Sequence, residues 1–168
     1  GKGGEKPWGV RFWGLGNEAG GCGGHMSAEQ YAYEARRFGT YCRDHGENRL
    51  YRIAAGANAD DYAWTETLMK QLGDLGCAYR PVQFMQAVSL HYYTVTGTWE
   101  DKGSATVFDT DEYYRTMVKA ARIDELLTRH SAIMDCYDPE RKVGLVLDEW
   151  GTWWNVEPGT NPGFLYQQ

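Results

Sequence analysis

Apolar and polar positions along this chain switch repeatedly between the short runs of buried strands and the three-to-four spacing of amphipathic helices. Val10 to Gly16 reads as a first strand, and the glycine-punctuated stretch Ala19 to Gly24 follows it as a loop. Ser27 with Gln30 three residues on fits a capping box. Tyr31, Ala35, Phe38 and Cys42 then recur at helical spacing to about Asp44, with Gly46 as the stop. Leu50 to Ala55 predicts a second strand, and Tyr62 to Leu72 a second helix ending near Gly73. Pro81 breaks the chain ahead of a third strand, Phe84 to Leu90, which ends at His91-Tyr92-Tyr93. Asp109 or Thr110 can cap one longer helix through Met134, since Tyr114, Met117, Val118, Ala121 and Leu126 share a face. Asp138-Pro139 closes it, and Val143 to Leu147 is the fourth strand.

Strands separated by helices imply parallel pairing through right-handed crossovers, and hence an α/β fold. The chemistry-bearing residues all fall at the C-terminal ends of strands, where a (β/α)8 barrel gathers its catalytic groups and an open doubly wound sheet has its crevice. Four strands cannot close a barrel, so on the barrel reading the 168 residues hold about half of one. The Gly-rich opening without Met, and a closing segment where an apolar pattern is starting, fit residues 1–168 as one partial catalytic domain, cut at both ends.

Composition narrows the partners. A net charge of −6 argues against nucleic acid, whose binding rests on clustered Lys and Arg. No apolar stretch has the roughly 18 to 20 residues that a membrane helix needs. Cys22, Cys42, Cys77 and Cys136 are scattered in a chain too long to depend on disulfides, which favours reduced thiols in a cytoplasmic protein. Seven Trp and twelve Tyr supply flat rings with polar edges, suited to stacking on sugar faces as well as to filling a core.

Two glutamates carry the candidate chemistry. Glu18 and Glu149 each end an apolar run, as in Trp13-Gly14-Leu15-Gly16-Asn17-Glu18 and Leu145-Val146-Leu147-Asp148-Glu149. Cleaving a glycosidic bond needs two such carboxyl groups, one to protonate the leaving oxygen and one to attack the anomeric carbon or activate water. An acid at Glu18 calls for a raised pKa, through burial or a nearby ionised Glu149, and Glu149 calls for donors that keep it charged.

These two segments, with Ser89-Leu90-His91-Tyr92-Tyr93, Asp148-Glu149-Trp150-Gly151-Thr152-Trp153 and Glu157-Pro158-Gly159-Thr160-Asn161-Pro162-Gly163, resemble the α-L-arabinofuranosidases of glycoside hydrolase family 51. The resemblance spans essentially the whole chain and implies a (β/α)8 barrel, here from about its fourth strand to just past its seventh. It makes Glu18 the general acid/base and Glu149 the nucleophile of a retaining hydrolysis that releases terminal α-L-arabinofuranosyl residues from polysaccharides and oligosaccharides. It places Asn17 at the sugar's 2-hydroxyl, although an Asn after Gly16 also suits a turn. His91 falls in the network of the two carboxylates, or is a structural histidine. Tyr93 matches a hydroxyl that contacts the nucleophile, with Tyr92 beside it on the opposite face of a strand.

Trp150, Trp153 and Trp154 follow the nucleophile and Trp99 lies in the preceding loop, so these rings either wall the sugar site or pack the rim; Trp99 and Trp150 are the substrate-binding candidates. The resemblance also implies no cofactor, an arabinofuranosyl oligosaccharide as partner, and a cytoplasmic homo-oligomer. Other barrel glycosidases, of endo-glucanase or β-galactosidase type, and a non-catalytic carbohydrate-binding fragment are the competing readings.

Two further patterns lead elsewhere. Gly14-x-Gly16-x-x-Ala19 matches the loose dinucleotide fingerprint, but a glycine-rich loop follows where a helix should open. Cys22-x-x-His25 with Cys42-x-x-His45 could be read as a zinc site, but one intervening helix would hold the two halves about 25 Å apart. No metal is expected.

Overall fold

The computed structural model describes residues 8–73, 84–161, 163 and 166–167; the break expected at Pro81, and Cys77, lie outside these residues. In chain order the elements are β1 (Phe12–Leu15), α1 (Ala28–Gly39), β2 (Tyr51–Asn58), α2 (Tyr62–Leu68) continued by a π-helical turn (Met69–Gly73), and β3 (Ala87–Thr94). There follow α3 (Thr110–Ala121), α4 (Ile123–Tyr137), β4 (Gly144–Trp154) and a short β5 (Tyr166–Gln167).

β1 to β4 pair in sequential order and all in parallel, and β5 adds antiparallel to the end of β4. Sequential parallel strands joined by right-handed crossovers put every helix on one face, so the other face is the inside of a curled sheet. The structure is a half-barrel, the coarser form of the expected architecture.

Each helix is positioned by local chemistry. Ser27 Oγ accepts from Gln30 N, and Gln30 Oε1 accepts from Ser27 N, which completes the expected capping box of α1. Its buried face is Tyr31, Ala32 and Ala35. The Tyr31 hydroxyl donates to Leu15 O and accepts from Ala55 N, both at 2.6 Å. It thereby pins the C-terminal end of β1 to β2, and burial pushes its pKa up to about 12. α1 stops at Gly39 rather than near Asp44. The Asp44 carboxylate accepts from Leu50 N and Arg49 at 2.9 Å each and draws this segment into a loop.

The single long helix expected up to Met134 is two helices that meet at Arg122. The guanidinium of Arg122 binds Asp60 at 2.6 Å, tying the joint to the loop after β2. β2 and β4 run further than their apolar runs suggest, and β3 starts at Ala87 rather than Phe84 and ends at Thr94, because ladder pairing continues through Asn58↔His91 and Thr94↔Thr152. The core lies between the sheet and α1, α2 and α4, with Leu68, Val88, Leu90 and Leu126 fully buried. His130 of α4 is buried among them; its Nδ1 meets Thr65 Oγ1 and its Nε2 meets Ala59 O, each at 2.8 Å.

Candidate active site

Glu18 follows β1, His91 and Tyr93 lie on β3, and Glu149 lies on β4. In a flat sheet β1 and β4 stand three strand spacings apart, about 14 Å. Yet an oxygen of Glu18, a ring nitrogen of His91 and an oxygen of Glu149 lie within 4.8 Å of one another. The curl of the sheet brings both carboxylates to the central strand.

The backbone is shaped for this meeting. Glu18 itself has φ 42°, a conformation rare for a residue with a side chain, and such strain gathers at functional sites. It is held by a tight turn in which Gly21 N and Gly23 N both donate to Glu18 O, at 2.8 and 3.1 Å. Gly23 is required there, since a Cβ would lie 1.7 Å from Asn17 O.

On β4 an irregularity does the same work. Leu90 pairs with Leu147, but His91 pairs with Glu149, so one extra residue on β4 moves Glu149 to the face of His91.

His91, with only 4% of its side chain exposed, is the hub. Its Nδ1 lies 3.1 Å from Glu18 Oε1 and 3.4 Å from Glu149 Oε2. With carboxylate acceptors on that side, Nδ1 carries a proton. Nε2 lies 3.1 Å from Asp148 Oδ1, without the alignment of a hydrogen bond. Glu18, His91 and Glu149 also have the spacing of a metal site, each offering one ligand atom.

Tyr93, and not its neighbour, completes the cluster. Tyr93 Oη donates to Glu149 Oε2 at 3.0 Å, whereas Tyr92 Oη donates to Lys119 O on the helix side. Glu149 Oε2 thus faces two donors. On the other carboxyl, Cys22 Sγ donates to Glu18 Oε2 at 3.0 Å. That bond, followed by the one from His91, holds Glu18 below the usual carboxylate pKa despite partial burial. The raised pKa expected for an acid is not what this arrangement gives: with 27% of its side chain exposed, Glu18 feels its donors more than it feels desolvation.

The aromatic candidates separate. Trp99 packs edge-on against Trp153 at 5.0 Å, and Trp153 packs edge-on against Tyr93 at 5.1 Å, so a row of rings runs outward from Glu149. Lys102 Nζ caps it, 4.6 Å from the Trp99 ring centroid. Trp150, adjacent to Glu149 on the strand, points to the opposite face and is 71% exposed; it is not brought to the carboxylates. Asn17 is exposed beside Glu18.

Asp148 and Cys22 were not singled out from the sequence as site residues. Asp148 is adjacent to Glu149 and on a regular strand would face away. In the sequence Cys22 stands out only as a scattered thiol and as part of a zinc-like pattern. A cavity of about 520 Å³ opens beside Glu18 and His91, walled by Met26, Asn58, Asp61 and Trp64.

No family model matches the chain. It is 50% identical over 164 residues to an intracellular exo-α-L-arabinofuranosidase of Bacteroides ovatus, covering 98% of this chain and 30% of that protein. It is 27% identical over 156 residues to an intracellular exo-α-(1→5)-L-arabinofuranosidase of Streptomyces lividans, covering 89% of this chain and 21% of that one. The crystal structure of a family 51 arabinofuranosidase from Xanthomonas axonopodis pv. citri superposes with a TM-score of 0.88 at 45% identity, over 99% of this chain and 32% of that one. The chain therefore spans less than a third of the length of the curated relatives it matches.

Proposed function

Taking its match to the arabinofuranosidases of glycoside hydrolase family 51 as premise, we propose that this chain is the part of such an enzyme that carries both catalytic carboxylates. The protein then releases terminal α-L-arabinofuranosyl residues by double displacement. The observation that carries this is the meeting of Glu18 and Glu149 across His91, with oxygens within 4.8 Å. Retaining glycosidases hold their carboxyl groups about 5–5.5 Å apart and inverting ones about 6.5–9.5 Å, because the latter must fit a water.

In the first step Glu149 attacks the anomeric carbon as the glycosidic bond breaks, and Glu18 gives its proton to the leaving oxygen. Tyr93 and His91 both face Glu149 Oε2, which orients the carboxylate and leaves Oε1 to form the covalent bond. In the second step Glu18, now a carboxylate, takes a proton from water, which attacks the anomeric carbon and frees Glu149. To act as acid, Glu18 must bind its proton more tightly than in the free site. A bound sugar does this by excluding water from the carboxyl group and replacing its donors. On this reading Asn17 bonds the 2-hydroxyl, as the resemblance implies, and the exposed ring of Trp99 serves the sugar or its aglycone. No cofactor takes part in these steps.

The remaining barrel strands would come from sequence outside residues 1–168, in keeping with relatives about three times as long. The relatives' names as intracellular enzymes favour a cytoplasmic location, and no described helix is long and apolar enough to cross a membrane. A homo-oligomer is part of the same reading. The test is hydrolysis of an aryl α-L-arabinofuranoside by the full-length protein, with aryl β-galactoside and β-glucoside beside it. Turnover of the arabinofuranoside alone is expected. Turnover of either other glycoside in its place would overturn the substrate assignment.

A further inference from the structure

We propose that Cys22 is a positioning residue for Glu18, holding Oε2 through a weak S–H···O bond that the substrate's glycosidic oxygen, and later the attacking water, displaces. The inference rests on the acid/base reading of Glu18.

The contact is built by the loop. The turn that hangs from Glu18 O continues with Gly24 N and His25 N both donating to Gly21 O, at 3.1 and 2.9 Å, and Met26 N donating to Ala19 O at 2.9 Å. Five residues are thus curled back on Glu18. Gly23 tolerates no side chain, and His25 takes a left-handed φ of 50°. This curl sets Cys22 Sγ 3.0 Å from Glu18 Oε2.

Both oxygens of Glu18 are therefore engaged, Oε1 by His91 and Oε2 by Cys22. One of them must be released before the carboxyl group can pass a proton to a sugar oxygen. His91 is buried and shared with Glu149, and giving up its bond would disturb the nucleophile as well. Cys22 is exposed, and a thiol is a weak donor whose bond costs little to exchange. Oε2 is thus the oxygen that exchanges its proton. The thiol stabilises the carboxylate in the free site and again when Glu18 must serve as base. It turns aside when protonated Glu18 needs an acceptor. No bond to sulfur forms, and the thiol keeps its proton throughout.

The reciprocal effect is visible on Cys22: the bond to Glu18 and the carboxylate's charge raise the thiol pKa. Two measurements on the full-length protein test the pair. The first is the pH profile of kcat/KM for a phenyl arabinofuranoside, whose basic limb follows loss of the Glu18 proton. Cys22→Ala should move that limb up by about half a unit or more, and Cys22→Ser, which restores a donor, should return it to the wild-type position or below. The second needs no turnover. Alkylation of Cys22 by iodoacetamide near pH 8, about where a free thiol begins to ionise, is followed by peptide mass. It should be several-fold faster in Glu18→Gln than in wild type.

An unmoved limb in Cys22→Ala, or equal limbs in the Ala and Ser variants, overturns the proposal. Equal alkylation rates overturn the pairing itself. A wild-type protein inactive on every glycoside removes the acid/base reading on which the proposal stands, while the alkylation result still decides whether the pair exists.

Discussion

Tyr93 and Glu149 are bonded hydroxyl to carboxylate at 3.0 Å although they are not opposite each other in the sheet. Tyr93 lies across from Gly151, and Glu149 lies across from His91. The tyrosine side chain therefore reaches back along β4 past a residue with no side chain, whose φ of 125° a larger residue would resist. Edge contact with Trp153 holds the ring in that pose.

Tyr93→Phe keeps the ring and removes the donor. A hydrogen bond to a charged group contributes about 1.5–3 kcal/mol, so kcat should fall about tenfold to a hundredfold, with the melting temperature little changed. Steady-state kinetics on an aryl arabinofuranoside, alongside a thermal melt, decide it. A loss smaller than twofold would mean that the hydroxyl does not serve the nucleophile.

The motifs, the two glutamates and His91 were legible in the sequence because each ends or follows an apolar run that becomes a strand. The face on which Glu149 points was not. Continuing the Leu90↔Leu147 register would set Glu149 across from Tyr92, on the helix side, and only the extra residue on β4 corrects it. No glycine or proline in Leu147-Asp148-Glu149 announces that irregularity. The split of α3 from α4 is silent for the same reason: Ala-Ala-Arg-Ile-Asp-Glu is continuous helix former, and nothing local marks the joint at Arg122, whose guanidinium reaches Asp60. The Cys22 contact was hidden because it depends on the left-handed backbone of Glu18, which the sequence gives no reason to assign to a glutamate.

The roles proposed for the two glutamates predict different kinetic signatures. Glu149→Gln in the full-length protein should abolish turnover on every substrate, because no covalent intermediate can form. Glu18→Ala should slow poor leaving groups far more than activated aryl glycosides, which need little protonation. A plot of log kcat against leaving-group pKa separates the two, and equal losses across the series would count against Glu18 as the acid.

Gly56 tests the architecture beneath the site. The β2–β3 register shifts between Ala54 and Ala57, Gly56 N donates to Ser89 Oγ at 2.9 Å, and a Cβ at this position would stand 1.6 Å from Ser89 O. Gly56→Ala must push β2 away from β3 two residues before His91. We expect a loss of about 1–3 kcal/mol in stability, as for other overpacked interiors, together with a fall in activity. Gly39→Ala is the control. Its nearest neighbours would be at 3.8 Å and alanine favours a helix, so stability should hold or rise. Chemical unfolding of both variants is the measurement, and indifference to Gly56→Ala would show that the two strands can separate there at little cost.

Stability should also fall on mild acidification because of His130. Burial holds its pKa below the ordinary histidine value, against the opposing pull of the Ala59 carbonyl. The folded protein therefore keeps this ring neutral while the unfolded chain takes up a proton at about pH 6.5. The stabilisation is complete above that pH and is lost as pH falls through it towards the depressed folded value, at no more than about 1.4 kcal/mol per pH unit. The carboxylates whose pKa values are lowered, such as Asp44, Asp60 and Glu66, begin to lose their contribution only as pH falls into the ordinary carboxylate range, about pH 4, which is below the interval from pH 7 to 5. Unfolding free energies between pH 7 and 5 should show this slope in the wild type and a flatter one in His130→Gln. Parallel curves would place the acid sensitivity elsewhere than in the buried contact between α4 and the end of β2.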